Sequence, residues 1–166
     1  MTTSTNVMAL FCEDIREEKH GVFTLVGLLP DNVNVSAMSG DGTDASGGDA
    51  KVLGKLCAFI RINFSPERTP KEIKLRLHFG DGVEHDLGEI ERKTIDEAAQ
   101  KALERNNALA GVISRAVFGG FNFQKAAGQL KIYVIIDDEP HFAAALNINF
   151  ASDNDGADAT SSSNAS

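Results

Sequence analysis

GQLKIYVIIDDEPHFAAALNINF, residues 128–150, holds two alternating runs on either side of a polar turn. Leu130, Ile132, Val134 and Ile136 share one face of the first run. Phe142, Ala144, Leu146 and Ile148 share one face of the second. A period of two about a short polar break predicts a β-hairpin. The opposite face is apolar too, with Tyr133, Ile135, Ala143 and Ala145. Strands apolar on both sides must be covered on both, by the rest of the fold or by a partner.

Working back along the chain, residues 72–79 alternate most cleanly: Ile73, Leu75, Leu77 and Phe79 against Lys74, Arg76 and His78. Residues 83–91 follow at once through Gly80-Asp81-Gly82. A two-residue turn would pair Phe79 with Glu84 and Leu77 with Asp86, setting carboxylates on the apolar face. A three-residue loop with Gly82 left-handed pairs Phe79 with Val83 and Leu75 with Leu87. It also faces His78 with Glu84 and Arg76 with Asp86, so this register is expected. Residues 7–12, 22–29 and 55–64 carry further strand-like runs. Residues 112–123 suggest a strand that Gly119-Gly120 would bulge or kink.

One helix is signalled, at about residues 94–107. Thr94 fits an N-cap with Glu97 completing a capping box. Ile95, Ala98, Ala99, Ala102 and Leu103 form an apolar stripe at helical spacing, and Asn106-Asn107 marks the end. Seven or eight short strands adjacent in sequence, with one helix at an edge or across an end, predict a mainly-β fold. An antiparallel β-sandwich of the immunoglobulin or C2 type buries them most simply, and a partly open barrel is the alternative. A single domain is expected over residues 1–150. It would carry a flexible Gly/Ser/Asp loop at 36–50, and a disordered acidic tail would follow at 151–166.

The opening Ala9-Leu10-Phe11-Cys12-Glu13-Asp14, then Gly21 and Thr24-Leu25-Val26-Gly27, resembles the start of a family of small uncharacterised bacterial and phage proteins. The closing strand from Gly128 with its acidic turn resembles their end. The resemblance covers the two ends and little of the middle. It implies a β-sandwich and assigns no activity and no site residues.

The net charge is −8. Six of the 24 acidic residues lie in two segments without Lys or Arg: Asp41, Asp44 and Asp49, and Asp153, Asp155 and Asp158. The other 18 nearly balance 16 basic residues, so the excess acidity reads as solubility. No basic stripe exists to neutralise phosphates, which argues against nucleic acid. No apolar run reaches the roughly 18 residues of a membrane-spanning helix. Residues 7–12 are too short and too acidic in their flank for a signal peptide, so a cytoplasmic protein is expected. Cys12 and Cys57 are then expected as buried thiols rather than a disulfide.

Candidate chemistry is sparse. A His78/His85 metal pair requires the rejected two-residue turn. The acidic turn Asp137, Asp138 and Glu139, joined by Asp31 if the two turns share an end of the sandwich, is a candidate Ca²⁺ or small-ligand site. The plain reading is a polar hairpin turn before Pro140. The spacing in 153–164 fails the Ca²⁺-loop pattern. No nucleophile elbow and no phosphate loop is present, and carboxylates beside Cys12 work against a reactive thiolate. The expectation is therefore a non-enzymatic protein-interaction module or homo-oligomer without a cofactor. Its contact face would be Tyr133, Ile135, Ala143 and Ala145, unless the helix covers that face. The alternatives are a Ca²⁺- or small-ligand-binding sandwich and a phage-encoded inhibitor of a host protein.

Overall fold

The computed structural model describes residues 5–35, 51–80, 82–123 and 128–150. The loop expected at 36–50 and the tail expected at 151–166 lie outside these. Among the described residues nine strands are formed, where seven or eight were expected: β1 (Asn6–Glu17), β2 (Phe23–Leu28), β3 (Asn32–Val35), β4 (Lys51–Phe64), β5 (Ile73–Phe79), β6 (Glu84–Glu89), β7 (Ala110–Phe123), β8 (Gly128–Ile136) and β9 (Glu139–Phe150). A single helix, α1 (Arg92–Glu104), separates β6 from β7. Two sheets result, ordered β2-β1-β4-β7 and β3-β9-β8-β5-β6. Neither closes on itself, so the fold is a sandwich and not a barrel. All neighbours run antiparallel except β3, which pairs parallel with β9.

The core lies between the sheets. Leu56, Ala58, Ile60, Ile62 and Phe64 of β4 meet Ile73, Leu75 and Leu77 of β5, Leu130, Ile132 and Val134 of β8, and Leu146 and Ile148 of β9. These alternating positions are almost wholly buried. Each large one contributes about 1.5–3 kcal/mol of burial.

Both hairpins carry a one-residue correction to the alternation. In β8–β9 the turn is a two-residue loop, Asp137-Asp138, with both residues at positive φ (49° and 70°) and Ile136 opposite Glu139. That is the turn whose twist suits a hairpin. It sets Tyr133 opposite Phe142, whereas further along Ile132 lies opposite Ala144. Ala143 is the extra residue of a bulge. The expected inner row is thereby corrected. Phe142 turns outward and is 56% exposed, while Ala143, expected on the outer face, packs against the core. The turn and the inner face demand registers one residue apart, and the bulge satisfies both.

In β5–β6 the expected pairs His78–Glu84 and Arg76–Asp86 form, and Phe79 N–H donates to the Val83 carbonyl. The predicted Leu75–Leu87 pair does not form. A register shift sets Leu75 opposite Gly88, with Leu87 the extra residue, still packed against the core. The Asp86 carboxylate accepts from the Gly88 N–H at 2.7 Å and holds this bulge. Gly88 sits at φ 104°, a conformation that glycine adopts at no steric cost.

α1 starts two residues before the expected Thr94. Its N-cap is Glu91, which makes no side-chain capping bond, so the capping box is not used. The first turn is held instead by Arg92, which pairs with Asp96 and donates to the Pro70 carbonyl at 2.7 Å. The helix ends where Asn106 adopts φ 54°, with Asn107 N–H on the Ala102 carbonyl and Asn106 N–H on the Leu103 carbonyl. Its first turn is tied to Pro70, and the segment after its last turn faces Ser65, Pro66 and Glu67 across a cleft. Both ends therefore sit by the β4–β5 connection. The helix lies across one end of the sandwich, inserting Ile95, Ala99 and Ala102 into the core. Gly119-Gly120 does not bulge β7, whose pairing with β4 shows no register shift.

Phe142 decides between the two readings of the last hairpin. Phe142→Ala should cost less than about 1 kcal/mol in a urea melt, as for an exposed residue. Leu146→Ala should cost about 2–5 kcal/mol. Equal large losses would return Phe142 to the core.

Candidate functional site

The outer side of the four-stranded sheet is built by the residues that alternate with the core. On β4 these are Lys55, Cys57, Phe59, Arg61 and Asn63, opposite Gly119, Val117, Arg115, Ile113 and Gly111 of β7. On β1 they include Met8, Leu10 and Cys12, opposite Arg61, Phe59 and Cys57. The two cysteines are thus direct cross-strand neighbours. Both are free and wholly buried, although they point away from the inter-sheet core.

What buries them is β1 itself. β1 pairs with β4 only as far as Cys12, and residues 14–17 pair with β2. This two-stranded ribbon leaves the sheet and folds back over it. At its tip Phe23 lies 5.8 Å from the Phe59 ring, and Glu17 pairs with Arg115 at 3.0 Å. The Arg115 guanidinium also sits 5.1 Å from the centre of the Phe23 ring. Cys57 Sγ donates to the Glu13 carbonyl at 3.5 Å, and Lys55 pairs with Asp14 at the ribbon's base. Burial first, then the neighbouring Cys57 and Asp14, push the Cys12 thiol up from its ordinary value. The hydrogen bonds from Lys55 and Arg16 hold Asp14 below the ordinary carboxylate value. That contribution is present above the unfolded value and is lost as pH falls through the lowered one. Residues 13–17 are strand, and a 3-10 turn follows at Lys19–Gly21.

The largest exposed apolar side chains beside this ribbon are Met8 (39%), Leu10 (36%), Ile113 (41%) and Val117 (66%). Sequence reasoning missed this surface. Its signal was the apolar residues on both faces of 7–12 and 112–118, the same signal that drew attention to the last hairpin.

The predicted contact face on the last hairpin is altered by the bulge. Tyr133, Ile135 and Ala145 are half-buried on the outer side, Ala143 has left it, and Phe142 has joined it. Tyr133 packs edge-on to Phe142 at 5.9 Å and against His78 at 4.6 Å. α1 packs against β7 and has no comparable contact with β8 or β9.

The candidate ligand-binding carboxylates are not brought together. Asp31 lies beside Asn147, whose N–H donates to its carbonyl, whereas Glu139 begins β9 at the opposite end of that strand. Asp137 is committed to structure: its carboxylate accepts from the Lys71 and Glu72 N–H groups at 2.7 and 3.0 Å. Asp138 and Glu139 remain exposed in the turn. His78 faces Glu84 while His85 pairs with Leu77, so the two histidines point to opposite sides. Among the described residues, no group of three or more His, Cys, Asp or Glu is placed to hold a metal ion. The cleft beside α1, about 390 Å³, is lined by Ser65, Pro66, Glu67, Leu103, Asn106, Asn107 and Ala108, with one ionisable group among them.

No protein-family model matches this chain, and no curated protein matches it.

The ribbon's role as a cover for the thiols has a direct readout. Native Cys12 and Cys57 should react slowly with an aromatic disulfide reagent. Phe23→Ala, which removes the ring seated on Phe59, should raise their labelling rate by about tenfold or more through local opening. Global stability should fall far less. An unchanged labelling rate would show that the ribbon does not guard them.

Proposed function

We propose that this chain is a non-enzymatic interaction module that works as a homo-oligomer. The observation that carries this reading is the gathering of Met8, Leu10, Ile113 and Val117 on the outer side of the four-stranded sheet. Exposed apolar residues are ordinary when scattered and informative when they share a face. The chemistry of the described side chains supports the same reading. Asp14, Glu17, Glu84 and Asp96 are taken up in ion pairs. Asp137 binds backbone, and the two thiols are covered. These groups are dispersed over both sheets and the helix rather than convergent on one pocket, as an acid, base and nucleophile would be.

A second reading has its own observation. Phe142, seated against Tyr133 and open to solvent on the other sheet, is the kind of aromatic anchor that binds a different protein.

Mass in solution separates the two. Light scattering over about a hundredfold range of concentration should give at least twice the 17.7 kDa chain mass, rising with concentration. Phe142→Ser should leave that mass unchanged. A constant monomer mass would defeat the homo-oligomer, and an oligomer abolished by Phe142→Ser would move the contact to the other sheet.

A further inference from the structure

The four sheet edges of this sandwich are not treated alike. The edges are β2 and β7 in one sheet, and β3 and β6 in the other. β3 has four residues. β6 has six, carries Glu84, His85, Asp86 and Glu89, and is bulged at Leu87. β2 has six, is broken by Gly27 at φ 62°, and belongs to the ribbon that leaves the sheet. Shortness, charge, bulges and departure from the sheet are the devices that keep edges from pairing with other chains. β7 has none of them. It runs 14 residues without proline, keeps an unshifted register with β4, and its one charged residue is Arg115. That charge is paired with Glu17. From Gly111 to Val117, among the described residues, its backbone makes no hydrogen bond outside the ladder with β4. α1 packs against β7 but gives no backbone hydrogen bond to Gly111–Val117 among the described residues.

We infer that two copies of this chain join β7 to β7, antiparallel across a two-fold axis, to make one continuous eight-stranded sheet. This rests on the homo-oligomer reading above and states how the copies meet. A second copy fits the edge better than another occupant for three reasons. The only other edge among the described strands that matches β7 in length, regularity and lack of charge is β7 itself, and a two-fold contact requires the same patch on both sides. Such a pairing sets Ile113 and Val117 of each copy at the seam, the latter being the most exposed large apolar residue among those described. Stacking of the outer faces through Met8 and Leu10 is the competing geometry, and the ribbon held by Phe23 and Glu17 stands on that face beside them.

The experiment combines sedimentation with amide hydrogen exchange on the full chain. The wild type should dimerise, and amides of residues 111–117 should exchange about tenfold more slowly at high than at low concentration. Val117→Lys, which adds the charge that guards other edges, should leave a folded monomer. Leu10→Lys, two strands from the edge, should still dimerise. Ile113→Lys carries the same expectation as Val117→Lys, and each variant's melting curve confirms that it is folded. A dimer lost in Leu10→Lys but kept in Val117→Lys, with exchange in 111–117 independent of concentration, overturns edge pairing and leaves the homo-oligomer standing. A wild type that stays monomeric throughout overturns both.

Discussion

The five-stranded sheet depends on the register of β8, which pairs with β5 on one side and β9 on the other. Its inner row, Leu130, Ile132, Val134 and Ile136, must face the other sheet, because a slip of one residue would carry the whole row to solvent. The Asp137-Asp138 turn imposes its own register from the other end. The two demands differ by one residue, and Ala143 takes up the difference. Ala143 packs against the core from that place. β6 meets the same conflict with Leu87, and there Gly88 supplies the left-handed backbone. Each bulge also increases local twist, which lets the strands wrap over the core rather than lie flat.

The four-stranded sheet solves a different problem. Its outer side holds Cys12, Cys57 and Phe59, which the inter-sheet core does not reach. The β1–β2 ribbon supplies a second, smaller apolar layer there. Its latch is Phe23 on Phe59, with the Glu17–Arg115 pair beside it. An exposed ion pair of this kind is worth little by itself. Its use is geometric: it fixes the ribbon's tip above the middle of the sheet, while the aromatic contact and the buried thiols supply the apolar area.

Much of this was legible from alternation alone. Residues 73–79 and 130–136 announce their buried faces, and the apolar stripe from Ile95 to Ala102 announces the helix. The His78–Glu84 register follows from refusing to bury carboxylates. What was not legible depends on contacts distant in sequence. β3 is four residues with Val33 half-buried, and only its parallel pairing with β9 makes it a strand. The helix start moved because Arg92 found Pro70 and Asp96, while Thr94 capped nothing. The outward turn of Phe142 is invisible to a period-two count, because a bulge inverts alternation without changing composition. The same inversion broke the predicted contact face, leaving Tyr133, Ile135 and Ala145 in place and exchanging Ala143 for Phe142. Edges are less legible still, since strand order in a sheet decides which side of a strand is free.

Taken alone, the net charge of −8 opposes any pairing of like copies. Location decides otherwise. Six of the acids fall in residues 36–50 and 151–166, and the others nearly balance the bases. At physiological salt, charges farther apart than about 8 Å are largely screened, so repulsion at a contact is set by what stands on it. On β7 that is one arginine, already neutralised by Glu17. Charge thus guards β6, where four titratable side chains crowd six residues, and leaves β7 unguarded. A chain selected only for solubility gains nothing from keeping its longest regular edge neutral while charging a short one. The pairing of β7 with its own copy proposed above depends on that difference.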